Sequence, residues 1–432
     1  MVKKSRQETS RVGSIDLWTA LAASAVAVIM ILAATEAQAQ TFQVLHSFTG
    51  GGDGGFPSRR LTLDAAGNLY GTTQAGGNGG CGFGCGTVFK LSQVHGNWVI
   101  HTLYEFQGGD DGAIPSGNVR GPDGSIYGVT SQGGIGKCDT ELGTCGTIFK
   151  VSPPPSACKG AECLWKESVL YRFTGAYDGG IPSGDPTFDA GGNLYGSTVV
   201  GGYGYGTVFK LTPNGNQWNE SALYAFNGEQ DSNYPNAGVI FDPAGNLYGA
   251  AQEGGSNGWG TIFQLTPTDG GWRETILYNF NSSEGGENPV AGLFMDSAGN
   301  LYGDDFAAGS GGCGTAFELG PYGTWNFSVL YNFSGPGGAC GPMSALIMDA
   351  AGNLYGTTNR TGAYNRGVVF KLTPTDNGWT YTSLHDFTGG SDGAGPNTLI
   401  MDAAGNLYGE TFDGAKGNCD GFGCGVVFEI TP

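Results

Sequence analysis

The chain has 432 residues and a formal net charge of −19, from 38 Asp and Glu against 19 Lys and Arg. So negative a surface repels phosphate backbones and anionic lipid, so no nucleic-acid partner is expected and membrane surfaces are poor partners. Its 82 Gly and 19 Pro approach a low-complexity composition, but 24 Phe, 19 Tyr and 8 Trp at periodic positions supply the apolar burial that a disordered chain lacks.

Residues 1–39 read as a secretory leader. Lys3, Lys4, Arg6 and Arg11 precede the apolar run LWTALAASAVAVIMILAA, and Ala37-Gln38-Ala39 supplies a small-residue cleavage site. The run is also long enough to span a bilayer, so an uncleaved anchor is the alternative. No second spanning stretch follows, and no membrane insertion is expected after cleavage.

From residue 40 onward one unit recurs. G-x-[LI]-Y-G begins at Gly67, Gly124, Gly192, Gly245, Gly299, Gly352 and Gly405, at spacings of 57, 68, 53, 54, 53 and 53 residues. Within each period a short run ending in Asp (LTLD, VIFD, LFMD, LIMD) predicts a first strand. D-x-x-G-N predicts a tight turn, because an Asp side chain bonds the backbone ahead of it and Gly accepts φ > 0. LYG-x-T predicts a second strand, GTVFKL and its variants a third, and LYxF a fourth. Four strands about every 53 residues describe a propeller blade.

The two ends fit together. The last unit stops at its third strand, VVFEITP, and the mature chain begins with TFQVLHSF, a fourth-strand pattern with His46 in the Tyr place. Residues 40–432 are therefore expected to form a single all-β domain, a seven-bladed β-propeller whose N-terminal strand completes the last blade and removes the open sheet edges. A Pro opens each first strand (Pro57, Pro115, Pro182, Pro235, Pro289, Pro342, Pro396). Two residues on, the side chain is small at Gly117, Gly184, Ala237, Ala291, Ser344 and Thr398, as crowding at an axis demands. Arg59 breaks that pattern.

GNLYGTT, GTVFKLTP, LYxF and the G-G-x-D-G-x-x-P linker at Gly389–Pro396 resemble the GloVer (Gloeo/Verruco) tandem-repeat proteins. The resemblance runs from Thr41 to Pro432 and implies an exported, propeller-like repeat protein; it implies no activity. Blade two departs from the pattern, with GPDGSIYG in place of DAAGNLYG and PPPSACKGAEC inserted before Leu164.

Ten Cys in an exported chain read as disulfides. Spacing suggests Cys81–Cys85, Cys138–Cys145, Cys158–Cys163 and Cys419–Cys424, with Cys313–Cys340 left to bridge two blades. His46 and His385 stand where other blades carry Tyr, and His95 and His101 are isolated. The GGSDG at Gly389–Gly393 matches a nucleophile elbow only by accident, because it is one copy of the linker.

The linkers themselves hold the most functional promise. They place Asp53, Asp111, Asp178, Asp231 and Asp392 at equivalent sites, with Glu287 nearby in blade five. Asp-Gly is ordinary turn chemistry, while a converging ring could bind Ca²⁺ or a hydroxyl-rich ligand. The Trp before each fourth strand reads as packing; Trp259, in a loop with no counterpart, is the better candidate for stacking on a sugar. Together with Arg59 near the axis these define the candidate ligand face. The expectation is a monomeric, secreted, non-enzymatic recognition module for a glycan or a protein. A structural envelope component, or an enzyme acting on polysaccharide, are the alternatives.

Overall fold

The D-x-x-G-N turn shows why the repeat folds as it does. Asp64 accepts the backbone N–H of Ala66 and Asn68 on Oδ1, both at 2.9 Å. Its Oδ2 takes the Asn68 side-chain amide at 2.8 Å and the Tyr70 hydroxyl at 3.1 Å. One carboxylate thus closes the turn and anchors the Tyr of the strand that follows. The same four bonds recur at Asp189, Asp242, Asp296, Asp349 and Asp402. Blade two, which lacks the Asn, keeps the function: Asp123 accepts the Tyr127 hydroxyl at 3.1 Å and pairs with Lys150 at 2.8 Å.

The computed structural model describes residues 40–431 except 58, 156–163, 229, 284, 322, 324, 336–340, 418 and 420. The leader, the Cys158–Cys163 pair and Cys340 lie outside the described residues. Thr41–Thr431 forms one unit in which the regular elements are strands. Seven antiparallel sheets follow the chain from inner to outer strand; in blade three these are Gly180–Phe188, Leu194–Val200, Thr207–Asn214 and Gln217–Ala225. Blade seven takes Ala394–Met401, Leu407–Asp413 and Val426–Thr431 from the C-terminal end and Thr41–Ser47 from the N-terminal end. The closing pair runs from Thr41 opposite Thr431 to Ser47 opposite Val426, with one bulge between Val44 and His46. The protein is a seven-bladed β-propeller closed by its own first strand.

The blades are joined by one contact repeated seven times. The Phe ending each outer strand is buried against the third-strand Phe of the next blade. The pairs are Phe48–Phe89, Phe106–Phe149, Phe173–Phe209, Phe226–Phe263, Phe280–Phe317, Phe333–Phe370 and Phe387–Phe428, with ring centroids 4.9–5.6 Å apart. Most are edge-to-face, the arrangement that the aromatic quadrupole favours. The third-strand ring lies over the glycine of LYG on the neighbouring strand: a Cβ on Gly196 would stand 2.6 Å from Cζ of Phe209, and the other six glycines are as tight. The Gly of LYG is there for close approach, not for a special dihedral.

At the axis, small residues meet backbone. A Cβ on Gly117 would come within 2.1 Å of the Gly184 carbonyl oxygen, and one on Gly184 within 2.2 Å of the Gly238 nitrogen. In blades one, four, five and six the first strand before the Asp turn shortens to Thr62–Leu63, Ile240–Phe241, Phe294–Met295 and Ile347–Met348.

Gly196→Ala is predicted to lower unfolding free energy by about 1–3 kcal/mol, the usual cost of overpacking a core, measured by urea denaturation. A loss below about 0.5 kcal/mol, the level of an ordinary surface change, would contradict the close-approach account.

Candidate functional site

Strand direction puts the interblade linkers and the loops between second and third strands on one face. Backbone bonds tie them together, as from Gly77 N–H to Gly51, Gly134 to Gly109, Gly202 to Ala176 and Gly255 to Asp231. The residue before the linker Pro is left-handed in six of the seven linkers: Phe56, Ile114, Ile181, Tyr234 and Asn288 have φ of 53° to 56°, and Gly395 has 60°. That kink aims the N–H groups of the first five at the preceding blade's loop, at the carbonyls of Cys424, Cys85, Cys145, Tyr205 and Trp259. Disulfides Cys81–Cys85, Cys138–Cys145 and Cys419–Cys424 pin three of these loops, and Cys313 is disulfide-bonded as well.

The five linker aspartates sit one per linker, and each is spent locally. Asp178 accepts the Thr174 N–H at 2.8 Å, the Thr174 hydroxyl at 2.5 Å and the Tyr171 hydroxyl at 3.0 Å. Asp111 takes Tyr104 and the Gln107 N–H, each at 2.8 Å, and Asp231 takes Tyr224 at 3.3 Å and the Asn227 N–H at 3.0 Å. Asp53 and Asp392 do the same with Thr49 and Thr388, and bond His46 at 3.1 Å and His385 at 3.3 Å. The Tyr or His of LYxF is therefore the partner of the next linker's Asp. Among the described residues no three His, Cys, Asp or Glu side chains gather as a group that could hold a metal ion.

Comparing blades exposes a feature that no motif marks. The residue four before the LYxF Tyr or His meets that ring in the preceding blade. In blades five, six and seven it is aromatic and stacks: Phe327 on Tyr278 at 3.8 Å, Tyr381 on Tyr331 at 4.8 Å, Phe42 on His385 at 3.7 Å. In blades two, three and four the same place holds Glu167, Glu220 and Glu274, beside Asp111, Asp178 and Asp231. Burial first, then the neighbouring Asp charge, pushes Glu167 and Glu220 up to about 7, with Arg172 opposing at Glu167. Glu274 rises to about 9 through burial and its hydrogen bond to Asp231, opposed by Ser232. Two further acids are wholly buried without a hydrogen-bond partner, Asp304 and Glu410. They occupy the place where Ser197 and Thr357 donate to carbonyls of the next blade, and burial holds both well above the usual carboxylate range.

Arg59 does reach the axis. In a left-handed conformation (φ 79°) it crosses to blade four and donates to the Asn236 carbonyl at 2.9 Å. It lines a cavity of about 380 Å³ with Arg60, Asp185 and apolar side chains including Phe294, Met295 and Ile347. The six Trp before outer strands lie partly buried between blades; Trp218, for example, packs on Tyr127.

Sequence reasoning singled out Trp259 but missed its companions. The loops between second and third strands expose Phe83, Ile135, Tyr203, Trp259, Tyr364 and Phe422, in every blade but the fifth, and Tyr177 stands exposed in a linker of the same face. Five of the six stand in a G-x-G stretch, which was the available clue; Tyr364, between Ala363 and Asn365, does not.

The fold and face define an all-β propeller with a loop-borne surface. The sequence profile of the Gloeobacter/Verrucomicrobia repeat matches residues 30–203, 137–346 and 184–428, and the chain belongs to that family. No curated protein sequence matches it. Among solved structures it is similar to the extracellular domain of a protein described as a one-component system from B. thetaiotaomicron. Identity there is 10%, over 90% of this chain and 40% of that one, at a TM-score of 0.52. PorZ, a surface component of the type-IX secretion system of Porphyromonas gingivalis, is 14% identical over 89% of this chain and 47% of its own, TM-score 0.49. The PQQ-bound aldose sugar dehydrogenase of Streptomyces coelicolor is 13% identical over 91% and 98%, TM-score 0.45. At these identities the likeness is one of fold.

The raised glutamates fix the sign of a pH effect. An acid whose folded pKa exceeds its unfolded value stabilises fully below the unfolded value, near 4.5, and loses that contribution as pH rises through about 7, or about 9 for Glu274. Glu220→Gln should therefore raise stability at pH 8 by about 1–2 kcal/mol, allowing for solvent screening at this half-exposed site, and change little at pH 4. Thermal melts at both pH values check this; equal effects at both would contradict it.

Proposed function

We propose that this protein is an exported, non-enzymatic recognition module whose ligand docks on the loop face. The observation that carries this is the ring of exposed side chains: one large apolar residue in six of the seven loops between second and third strands. A single exposed apolar side chain is ordinary on any surface, but here one recurs at the equivalent loop of six blades on one face, and that recurrence supports a binding role. Every exposed Phe, Tyr and Trp among the described residues lies on this face. The opposite face is occupied by turns whose Asp and Tyr groups are consumed in holding the blades.

The chemistry of the face supports binding without turnover. The linker carboxylates are bonded within their own turns, and the axial cavity has only Arg59, Arg60 and Asp185 as charged lining. Asp185, raised by burial and opposed by the Arg60 charge, the Asn118 N–H and Arg59, accepts that N–H at 3.2 Å and is tied into the packing of the axis. Export is supported by the disulfides, which persist in oxidising compartments, and by the leader-like residues 1–39. The expected active form is the monomer of residues 40–432.

Replacing Phe83, Trp259, Tyr364 and Phe422 together by Ser is predicted to abolish retention of the protein on the extracellular matrix of its own cells. The melting temperature should hold, because exposed substitutions cost within about 0.5 kcal/mol each. Undiminished retention by a folded variant would overturn the loop-face reading.

A further inference from the structure

The exposed groups are not evenly spread. Most loops present one, but blades three and four together carry five aromatics on this face. Tyr177 and Tyr203 stand 57% and 64% exposed with ring centroids 5.9 Å apart at 85°. Tyr205 and Tyr234, half-buried beside them, are 6.1 Å apart, and Trp259 follows on the next loop at 43% exposure. The platform is held by backbone rather than by its own side chains. The Gly202 N–H donates to Ala176 at 2.8 Å, joining the loop of Tyr203 to the linker of Tyr177, and Tyr234 and Asn288 donate to the carbonyls of Tyr205 and Trp259, each at 3.0 Å. A site fixed in this way loses little entropy on binding.

Its electrostatics are equally distinct. Other loops of this face carry Lys137, Arg360, Arg366 and Lys416, whereas residues 173–209 and 211–272 contain neither Lys nor Arg. Around Trp259 the exposed polar groups are Glu253, Ser256 and Asn257. Lys137, whose loop packs on Gly175, and Arg172, which donates to the Asp110 carbonyl, border the arc only at its Tyr177 end; from Tyr203 to Trp259 it is rich in acceptors, on a protein of net charge −19.

The geometry points to a carbohydrate subsite here, running from Tyr177 and Tyr203 to Trp259 and taking a neutral pyranose polymer. This rests on the loop-face reading and names its ligand class. One face of a pyranose ring is a patch of C–H groups bearing partial positive charge, which matches the negative face of an aromatic ring. The equatorial hydroxyls donate, and the carboxylate and amide oxygens beside the rings accept. Uronic or sulfated chains meet cations only at the Tyr177 end and are repelled from the rest of the arc by a protein of this net charge. A protein partner is a poorer fit, because its interface wants a contiguous apolar centre, and these rings are set apart by Gly, Ser and Asn.

The test is isothermal titration of residues 40–432 with xylan, mixed-linkage β-glucan and galactomannan, and with polygalacturonate as the anionic probe. The expected result is binding to at least one neutral polymer and none to polygalacturonate. Tyr203→Ala should weaken that binding by about tenfold or more, as loss of one stacking platform does, while Tyr203→Phe stays within about threefold because the ring is retained. Val99→Ala, on an outer strand, is the unaffected control. Binding that survives Tyr203→Ala but falls with Phe422→Ala would overturn this subsite and leave the loop-face reading standing. Binding indifferent to both would overturn both. Failure to bind any neutral polymer, or preference for polygalacturonate, would overturn the carbohydrate assignment, and the matrix-retention result for the four-Ser variant then decides the loop-face reading separately.

Discussion

The contact on which everything else depends is the buried phenylalanine pair between successive blades. Each pair needs three residues from different places in the repeat: an outer-strand Phe, a third-strand Phe, and a glycine opposite it whose missing Cβ lets the ring settle on the backbone. Each fully buried Phe is worth a few kcal/mol in place, and the contact occurs at every interface. The seventh exists only because Phe48, at the end of the N-terminal strand, meets Phe89. Ring closure and interblade packing are therefore one constraint, which explains why LYG and LYxF vary so little while the loops between them vary freely.

That division separates architecture from recognition. One face is consumed by the Asp-centred turns. The other is assembled from linkers whose Asp binds the preceding blade's Tyr or His, and from loops set by disulfides and left-handed pre-proline residues. Side chains projecting from those loops are released from any structural task, and there the large exposed aromatics collect. A second gradient runs around the ring at the outer strands, with carboxyl pairs at the first three interfaces and stacked aromatics at the next three. The carboxyl pairs titrate within the first set; in the second the one imidazole ring is His385, which burial pushes down against the opposing Asp392 charge.

Much of this was legible in the residues alone. The period, the four strands, the turn aspartates and the closure of VVFEITP by TFQVLHSF follow from local pattern, because each is written in contiguous sequence. Small residues after each linker Pro announced a crowded axis, and Arg59 announced itself by being large. What stayed hidden involves partners far apart in the chain. Asp111 reads as turn chemistry, and nothing nearby reveals that Glu167 packs against it. The equivalence of Glu220 and Phe327 appears only when each is placed against the preceding blade's ring. The loop aromatics escaped notice because loops differ in length between blades, so the G-x-G that holds Phe83, Tyr203 and Phe422 falls at no fixed spacing in the repeat.

The most direct test of the closed ring is removal of the closing strand. A chain beginning after Phe48 loses one sheet edge pairing and the Phe48–Phe89 contact together, and equilibrium urea denaturation should show the single cooperative transition replaced by a lower, broadened one. Adding the peptide TFQVLHSF in trans should restore the transition. An unchanged transition in the truncated chain would contradict the account, because it would mean that neither the strand nor its phenylalanine holds the ring closed.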